Sequence, residues 1–403
     1  MAEDHKEALT YTLTVSLVTS VLIFTLRPTS WAQMAMVGVA LTCAGYPLIR
    51  FFTARQFEPL SSSVGDRGPA WLAWVLTPYA VWLLLALGRI ESSGLPGLAI
   101  GLIVASSVLV VGARTAMRAA NLAALFLVGA SLLIALLDAR YVDFVGPRNF
   151  LPVLYGGRVF GLMQNPNGLG QMSAVLFMLA WNRRSRVSLL VSVVGLLAAA
   201  SQTALLGVLV ASCCVLGVRR LKTISRQFRP VWAFLGTGSV LLLLWVVMAN
   251  AVTLPTIAVS SNDLTLSRRT MIWERLRSGG VPFFGLGEEG LIGRIAARTE
   301  VGSAHNMWLE AWLRDGIPGV VALVIAVLVL VAATRRAIDP ALALGGAAVL
   351  LTEGMAESSP AHPIFFAFYV TLVAFSAPRP AIALATIPHG GFRPPLPAER
   401  ADV

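Results

Sequence analysis

The sequence predicts an all-α, polytopic membrane bundle of about twelve (ten to twelve) transmembrane helices with one large extracytoplasmic loop. Three observations carry that prediction. Hydrophobic residues make up 57% of the 403 residues and charged residues only 13%, roughly half the charged share of a soluble domain, and mean hydropathy is +0.76. The apolar residues gather into runs near the ~20 residues that cross a hydrocarbon core. Lys and Arg fall between those runs, heavy in one set of connections and light in the alternating set.

The runs lie near residues 9–26, 31–49, 70–88, 95–113, 119–137 and 161–181, then 187–200, 203–218, 231–250, 316–334, 341–352 and 363–377. The start, MAEDHKE, is net acidic, and no small-residue cleavage site follows the first run, so that run is expected to be an uncleaved span. The two runs flanking Ser201 and Gln202 are short, and fit either two tight helices or one long tilted helix. Residues 1–377 form the multi-span domain, and 251–304 form its charged outer loop with an amphipathic helix. Residues 378–403, rich in proline from Pro378 to Pro397, are expected to be a disordered cytoplasmic tail.

Orientation follows from the basic residues. Nineteen of the 31, from Lys6 to Arg400, fall in the connections of one face, and five fall opposite (Arg27, Arg89, Arg140, Arg148 and Arg158). The heavier set belongs in the cytoplasm, so both termini are expected there and the loop outside, in a bacterial cytoplasmic membrane. The net charge of +11 therefore reflects topology, and a nucleic-acid partner is not expected. Cys43, Cys213 and Cys214 all lie in apolar runs, and the four histidines are scattered, which leaves neither a disulfide framework nor a zinc site.

The spans hold few charges, whereas coupled transporters carry them within their helices. Chemistry is thus expected at the outer face. In GGRVFGLMQNPNGLGQ, Arg158 precedes a helix start near Asn165 or Asn167, with Pro166 suited to an early helical position. An arginine beside a helix N-terminus suits phosphate oxygens, and it equally suits a snorkelling role next to an Asn cap. In SRRTMIWERLRSGG, a helix over 267–278 brings Arg269, Trp273 and Leu276 to one face; its arginines fit lipid headgroups as well as a ligand. In SAHNMWLEAWLRDGIPG, His305 opens a helix and suits proton removal from a hydroxyl, or plain capping. Gly316 and Gly319, with Pro318 between them, allow a turn or close packing there.

These three elements together resemble those of the bacterial O-antigen ligase and O-antigen polymerase superfamily. His305 and Asn306, nine residues, then Gly-Ile-Pro-Gly match its His-Asn…GxxG hallmark. SRRTMIW resembles its S-G-R-x-x-x-W element, aligning Arg269 with the functional arginine while Arg268 replaces the usual glycine. GRVFGLMQNPNGLG resembles its G-R-x-x-G…N-P-N element and aligns Arg158 with the other arginine. Gln202 stands where relatives commonly have arginine. The resemblance implies a C-type glycosyltransferase-like fold. It also implies glycan transfer from an undecaprenyl-diphosphate carrier to a lipid or glycan acceptor hydroxyl at the outer face, for cell-surface polysaccharide or lipopolysaccharide biosynthesis.

Under that resemblance, His305 takes the acceptor proton, Arg158 and Arg269 stabilise the diphosphate, and Arg268, Asn165, Asn167 and Asn306 bind substrate. Transfer is expected to be inverting, without metal or cofactor. Glu288, Glu289 and Asp315 stand next in line as bases. The competing readings are a transporter or flippase for lipid-linked sugars, and an assembly subunit without catalysis. Convergence of Arg158, Arg269 and His305 on one site separates the glycosyltransferase reading from these two.

Overall fold

The computed structural model describes residues 2–26, 30–53, 80–82, 84–85, 100, 102–104, 106–107, 111, 113–143, 157–223, 266–299, 304–334, 339–357 and 368. Ten helices are found among them: α1 (Ala2–Leu26), α2 (Ser30–Thr53), α3 (Ala113–Leu137), α4 (Pro166–Arg183), α5 (Arg186–Ala199), α6 (Gln202–Thr223), α7 (Leu266–Arg277), α8 (Gly287–Arg298), α9 (Met307–Thr334) and α10 (Pro340–Ala356). A two-residue antiparallel ribbon of β1 (Val142–Asp143) and β2 (Arg158–Val159) joins α3 to α4. By length and composition, the stretches 115–137, 202–220 and 307–332 are each sufficient to cross a membrane. The expected spans 231–250 and 363–377 and the tail 378–403 lie outside the described residues, apart from Phe368. Only fragments of 70–88 and 95–113 lie within them.

The bundle core is built from small and branched residues. Ala116, Ala119, Ala120, Ala123 and Ala124 are buried on α3, which α1, α4 and α5 all pack against. Small residues let helix backbones approach closely where lipid offers no hydrophobic drive for association. Serine hydroxyls inside this core donate to backbone carbonyls, Ser16 to that of Ala40 (3.0 Å) and Ser107 to that of Ala44 (2.6 Å). The two short runs around Ser201 are two separate helices. Ala200 takes a left-handed conformation (φ 47°), ending α5, and α6 then turns away to pack most extensively against α10.

The segment carrying α7 and α8 contributes a second, smaller core. Ile272 and Leu276 of α7 meet Leu291 and Ile295 of α8 and Leu309 and Leu313 of α9. The sequence anticipates α7 almost to the residue. It does not anticipate α8, whose Gly287, Gly290 and Gly293 weaken intrinsic helix propensity. Acidic Glu288 and Glu289 in its first turn and Arg298 in its last favour the helix through its dipole, and burial of Leu291 and Ile295 completes it.

The expected turn at Gly316 is a break within α9, at φ 68° and ψ −155°, a conformation essentially restricted to glycine. The α7–α8 loop fills the break. Leu286 N–H donates to the Leu313 carbonyl (2.8 Å) and Ile317 N–H to that of Phe283 (2.9 Å). Gly285 (φ 80°) and Gly316 face each other so closely that a Cβ on either meets backbone, Arg314 O or Phe283 O respectively. The loop assembly and the membrane helix are therefore fastened backbone to backbone.

Candidate active site

Arg158 is positioned from three sides. The β1–β2 ribbon pairs it with Asp143, and the chain then drops onto α3, where Leu162 N–H donates to Ser131 Oγ (3.1 Å). Asn165 caps α4 by accepting from Asn167 N–H (2.8 Å), with Pro166 as the first helical residue, as the sequence predicts. Asn167 Oδ1 then accepts from Arg158 Nη2 (2.8 Å), while Arg158 Nε donates to the Ala199 carbonyl (3.1 Å) at the end of α5. A guanidinium at a helix C-terminus supplies both donors and favourable charge for the orphan carbonyls. Asn165 and Asn167 thus orient Arg158.

His305 sits in the left-handed region (φ 50°), is 6% exposed, and places Nδ1 3.4 Å from Glu357 Oε2. Glu357, 4% exposed, follows the end of α10. Asn306 joins the same two helices: its Oδ1 accepts from the N–H groups of Trp308 (3.0 Å) and Leu309 (2.9 Å), and its Nδ2 donates to the Met355 carbonyl (3.0 Å). It caps α9 and ties down the last turn of α10, which holds His305 and Glu357 at a fixed separation.

Arg158 and His305 stand at the same end of the bundle. Ala199, which Arg158 holds, leads through Ser201 into the first turn of α6. One turn further, Gly207 faces Glu353 of α10, and a Cβ on Gly207 would lie 3.6 Å from Glu353 Cγ. Glu353 precedes Glu357 by one turn. The N-terminus of α6 and the C-terminus of α10 are thus what separates the two groups. The opposite end carries Arg118 beside Glu7 (3.9 Å) and Arg219 paired with Asp339 (3.0 Å).

Arg268 and Arg269 fall in the first turns of α7, and their side chains lie outside the described residues. Helix α7 is nonetheless fastened to the histidine: Trp273, one turn after Arg269, donates Nε1–H to the Ala304 carbonyl (2.9 Å), immediately before His305. Two of the three motifs, those of α7 and of His305, are therefore tied together at the start of α9, while the Arg158 motif is held against the ends of α4 and α5.

Two of the reserve bases, Asp315 and Glu288, belong to a different cluster. Asp315 receives Arg314 Nε at 2.9 Å, and Glu288 lies 3.9 Å from Arg314 Nη1, with the guanidinium stacked 5.1 Å from the centre of the Trp82 ring. Asp138, on the ribbon side, is held below the usual carboxylate range by the side-chain and backbone hydrogen bonds of Arg140, so it is a cap and a poor proton acceptor. Sequence reasoning missed Glu357 because it places the residue beyond the apolar run 341–352. An acidic pair one helical turn apart at the edge of a membrane helix, Glu353 and Glu357, was the available signal. Beyond His305, α9 bears an apolar groove lined by Trp308, Leu309, Trp312, Ile317, Val320 and Val321.

No curated protein matches this chain. A family model described as O-antigen ligase matches residues 187–324, a stretch that holds α5–α8, His305, Asn306 and the Gly316–Gly319 element and excludes Arg158. Over that stretch the chain is similar to the O-antigen ligase family.

Proposed function

We propose that this protein transfers an oligo- or polysaccharide from an undecaprenyl-diphosphate carrier to the hydroxyl of a lipid or growing glycan, at the outer face of the bacterial cytoplasmic membrane. The observation that carries this reading is the buried His305–Glu357 pair, set at the same end of the bundle as Arg158. With Nδ1 turned to a carboxylate, the imidazole keeps its proton on Nδ1 and leaves Nε2 as the base. His305 Nε2 takes the acceptor proton as the oxygen attacks the anomeric carbon from the face opposite the diphosphate, and the configuration inverts. The bond from that carbon to the diphosphate oxygen breaks, and the charge grows on the leaving group. Arg158 and Arg269 meet that charge, more strongly in the transition state than in the ground state. The chemistry calls for no metal, because the guanidinium groups supply the electrophilic assistance. The apolar groove along α9 suits the carrier chain. About twelve spans, with both termini cytoplasmic, complete the picture.

The test uses purified protein in nanodiscs, with donor binding and product formation measured separately, with and without chelator. His305→Ala is expected to retain donor binding and lose turnover by about 10²–10⁴-fold. Arg269→Lys should lose both binding and rate, because a point charge does not reproduce the guanidinium fork, while Arg268→Ala is milder. Full turnover by His305→Ala removes the base assignment; loss of activity on chelation alone assigns the electrophile to a metal.

A further inference from the structure

Phe283 and Phe284 form the tip of the α7–α8 loop. Their rings pack edge to face with centroids 5.0 Å apart, yet they are 57% and 58% exposed, although the small core of this region lies beside them. An aromatic pair bare to water is costly and invites association. The tip is also not free to fold away, since Phe283 O, Gly285 and Leu286 are bonded or wedged against the Gly316 break.

What lies beside the pair identifies its surroundings. Ile317, whose N–H binds Phe283 O, begins an exposed apolar stripe on α9 that continues through Val321, Val324 and Leu328, at the 4-3-4 spacing of one helix face. From Ile317 to Thr334 the helix runs 18 residues, about 27 Å at 1.5 Å per residue, close to the ~30 Å of hydrocarbon. Ile317 therefore stands at the boundary between acyl chains and headgroups, and the two phenylalanines extend its lipid-facing stripe sideways. Exposed Arg275 and Arg277 lie at the end of α7, where they suit lipid phosphates. Aromatic residues concentrate at this depth, with basic side chains just above.

We propose that Phe283 and Phe284 are a wedge inserted into the bilayer at the site end of the bundle, anchoring the α7–α8 assembly in the plane of the lipid headgroups. The occupant of the surface is lipid acyl chain. The wedge rests on the proposed function only for which leaflet it enters. The anchored assembly begins with the arginine-bearing turn of α7, so the wedge fixes the depth at which that turn meets a lipid-linked diphosphate.

The experiment places a nitroxide at Phe284→Cys in the full chain, with Cys43, Cys213 and Cys214 changed to Ser, in nanodiscs. Collision rates are measured with oxygen, which concentrates in hydrocarbon, and with a water-soluble nickel chelate. The label is expected to be open to oxygen and shielded from nickel, as at Leu328→Cys, whereas Glu274→Cys is open to nickel. Adding Phe283→Ser should raise nickel access at position 284 several-fold as half the anchor is lost. Nickel access at 284 equal to that at 274 overturns the wedge by putting the loop in water. Shielding from both probes overturns it in favour of a covering protein, either a second copy or a partner. None of these outcomes depends on turnover, so the wedge and the enzymatic reading fail separately.

Discussion

Glu357 sits 52 residues beyond His305 in the chain and 3.4 Å from its ring. In the proposed mechanism its carboxylate fixes which imidazole nitrogen bears the proton. Replacing it with Gln leaves a side chain of the same shape that offers either a carbonyl or an amide to Nδ1, and the amide selects the tautomer that cannot act as a base. We expect Glu357→Gln to lower turnover by roughly 10²-fold or more while donor affinity holds, by analogy with tautomer-breaking substitutions in hydrolytic triads. Measured kcat with unchanged donor Kd is the check, and equal loss in both would make Glu357 a structural residue only. At this scale the Asn165 cap was legible in the sequence, and His305 and Arg158 stood out as candidates, since each belongs to a local pattern of residue type and spacing. Glu357 belongs to no local pattern: its partner is brought to it by the crossing of α9 and α10, which hydropathy does not encode. Asn306 was legible as part of the His-Asn motif, while its double capping role depends on the Met355 carbonyl, supplied by that same crossing.

Among the elements, the break in α9 is the most sensitive to a single methyl group. Gly316 combines a positive φ with backbone packed against the position a Cβ would occupy, so Gly316→Ala adds conformational strain of ~1–3 kcal/mol to a steric clash with the Phe283 carbonyl. Two hydrogen bonds between the loop and the helix go with it. Expected outcomes are a lower unfolding temperature in detergent and faster proteolysis between α7 and α8, both read on purified protein. Gly319→Ala is a poor control, because Asp315 and Ala311 crowd it; Gly293→Ala, with open space around it, is the appropriate one and should be neutral or stabilising. The glycines and Pro318 made a turn predictable here. That a separate loop would enter the turn was not predictable, since the partner backbone carries no side-chain signature.

For the molecule as a whole, the helix order places arginine-rich connections at one end and the histidine at the other. Arg183, Arg184 and Arg186 lie at the α4–α5 turn, and Arg219 and Arg220 near the end of α6, all at the end away from His305. A reporter fused after Arg229 should therefore read cytoplasmic and one inserted near Asp263 extracytoplasmic; the reverse pattern would turn the candidate site to the cell interior. The helical, apolar fold class was legible because it depends on composition summed over long segments. Span boundaries were less so: α9 begins at Met307, nine residues before the apolar run at 316, because Leu309, Trp312 and Leu313 join the loop's own core.

Helix α10 is tethered at both ends, by Asp339 to Arg219 at one face and through Glu357 to His305 at the other. Its 17 residues span about 26 Å, a few ångströms short of a typical hydrocarbon core. A rod pinned in this way behaves as a ruler for the membrane around it. Thickening the bilayer stretches or tilts the rod and draws the carboxylate away from the imidazole, whereas thinning relaxes it. Turnover across nanodiscs of graded acyl length should accordingly fall with the longest chains and recover with shorter ones, and a flat profile would release α10 from that role. Reaction rate in this protein would then carry a record of lipid composition.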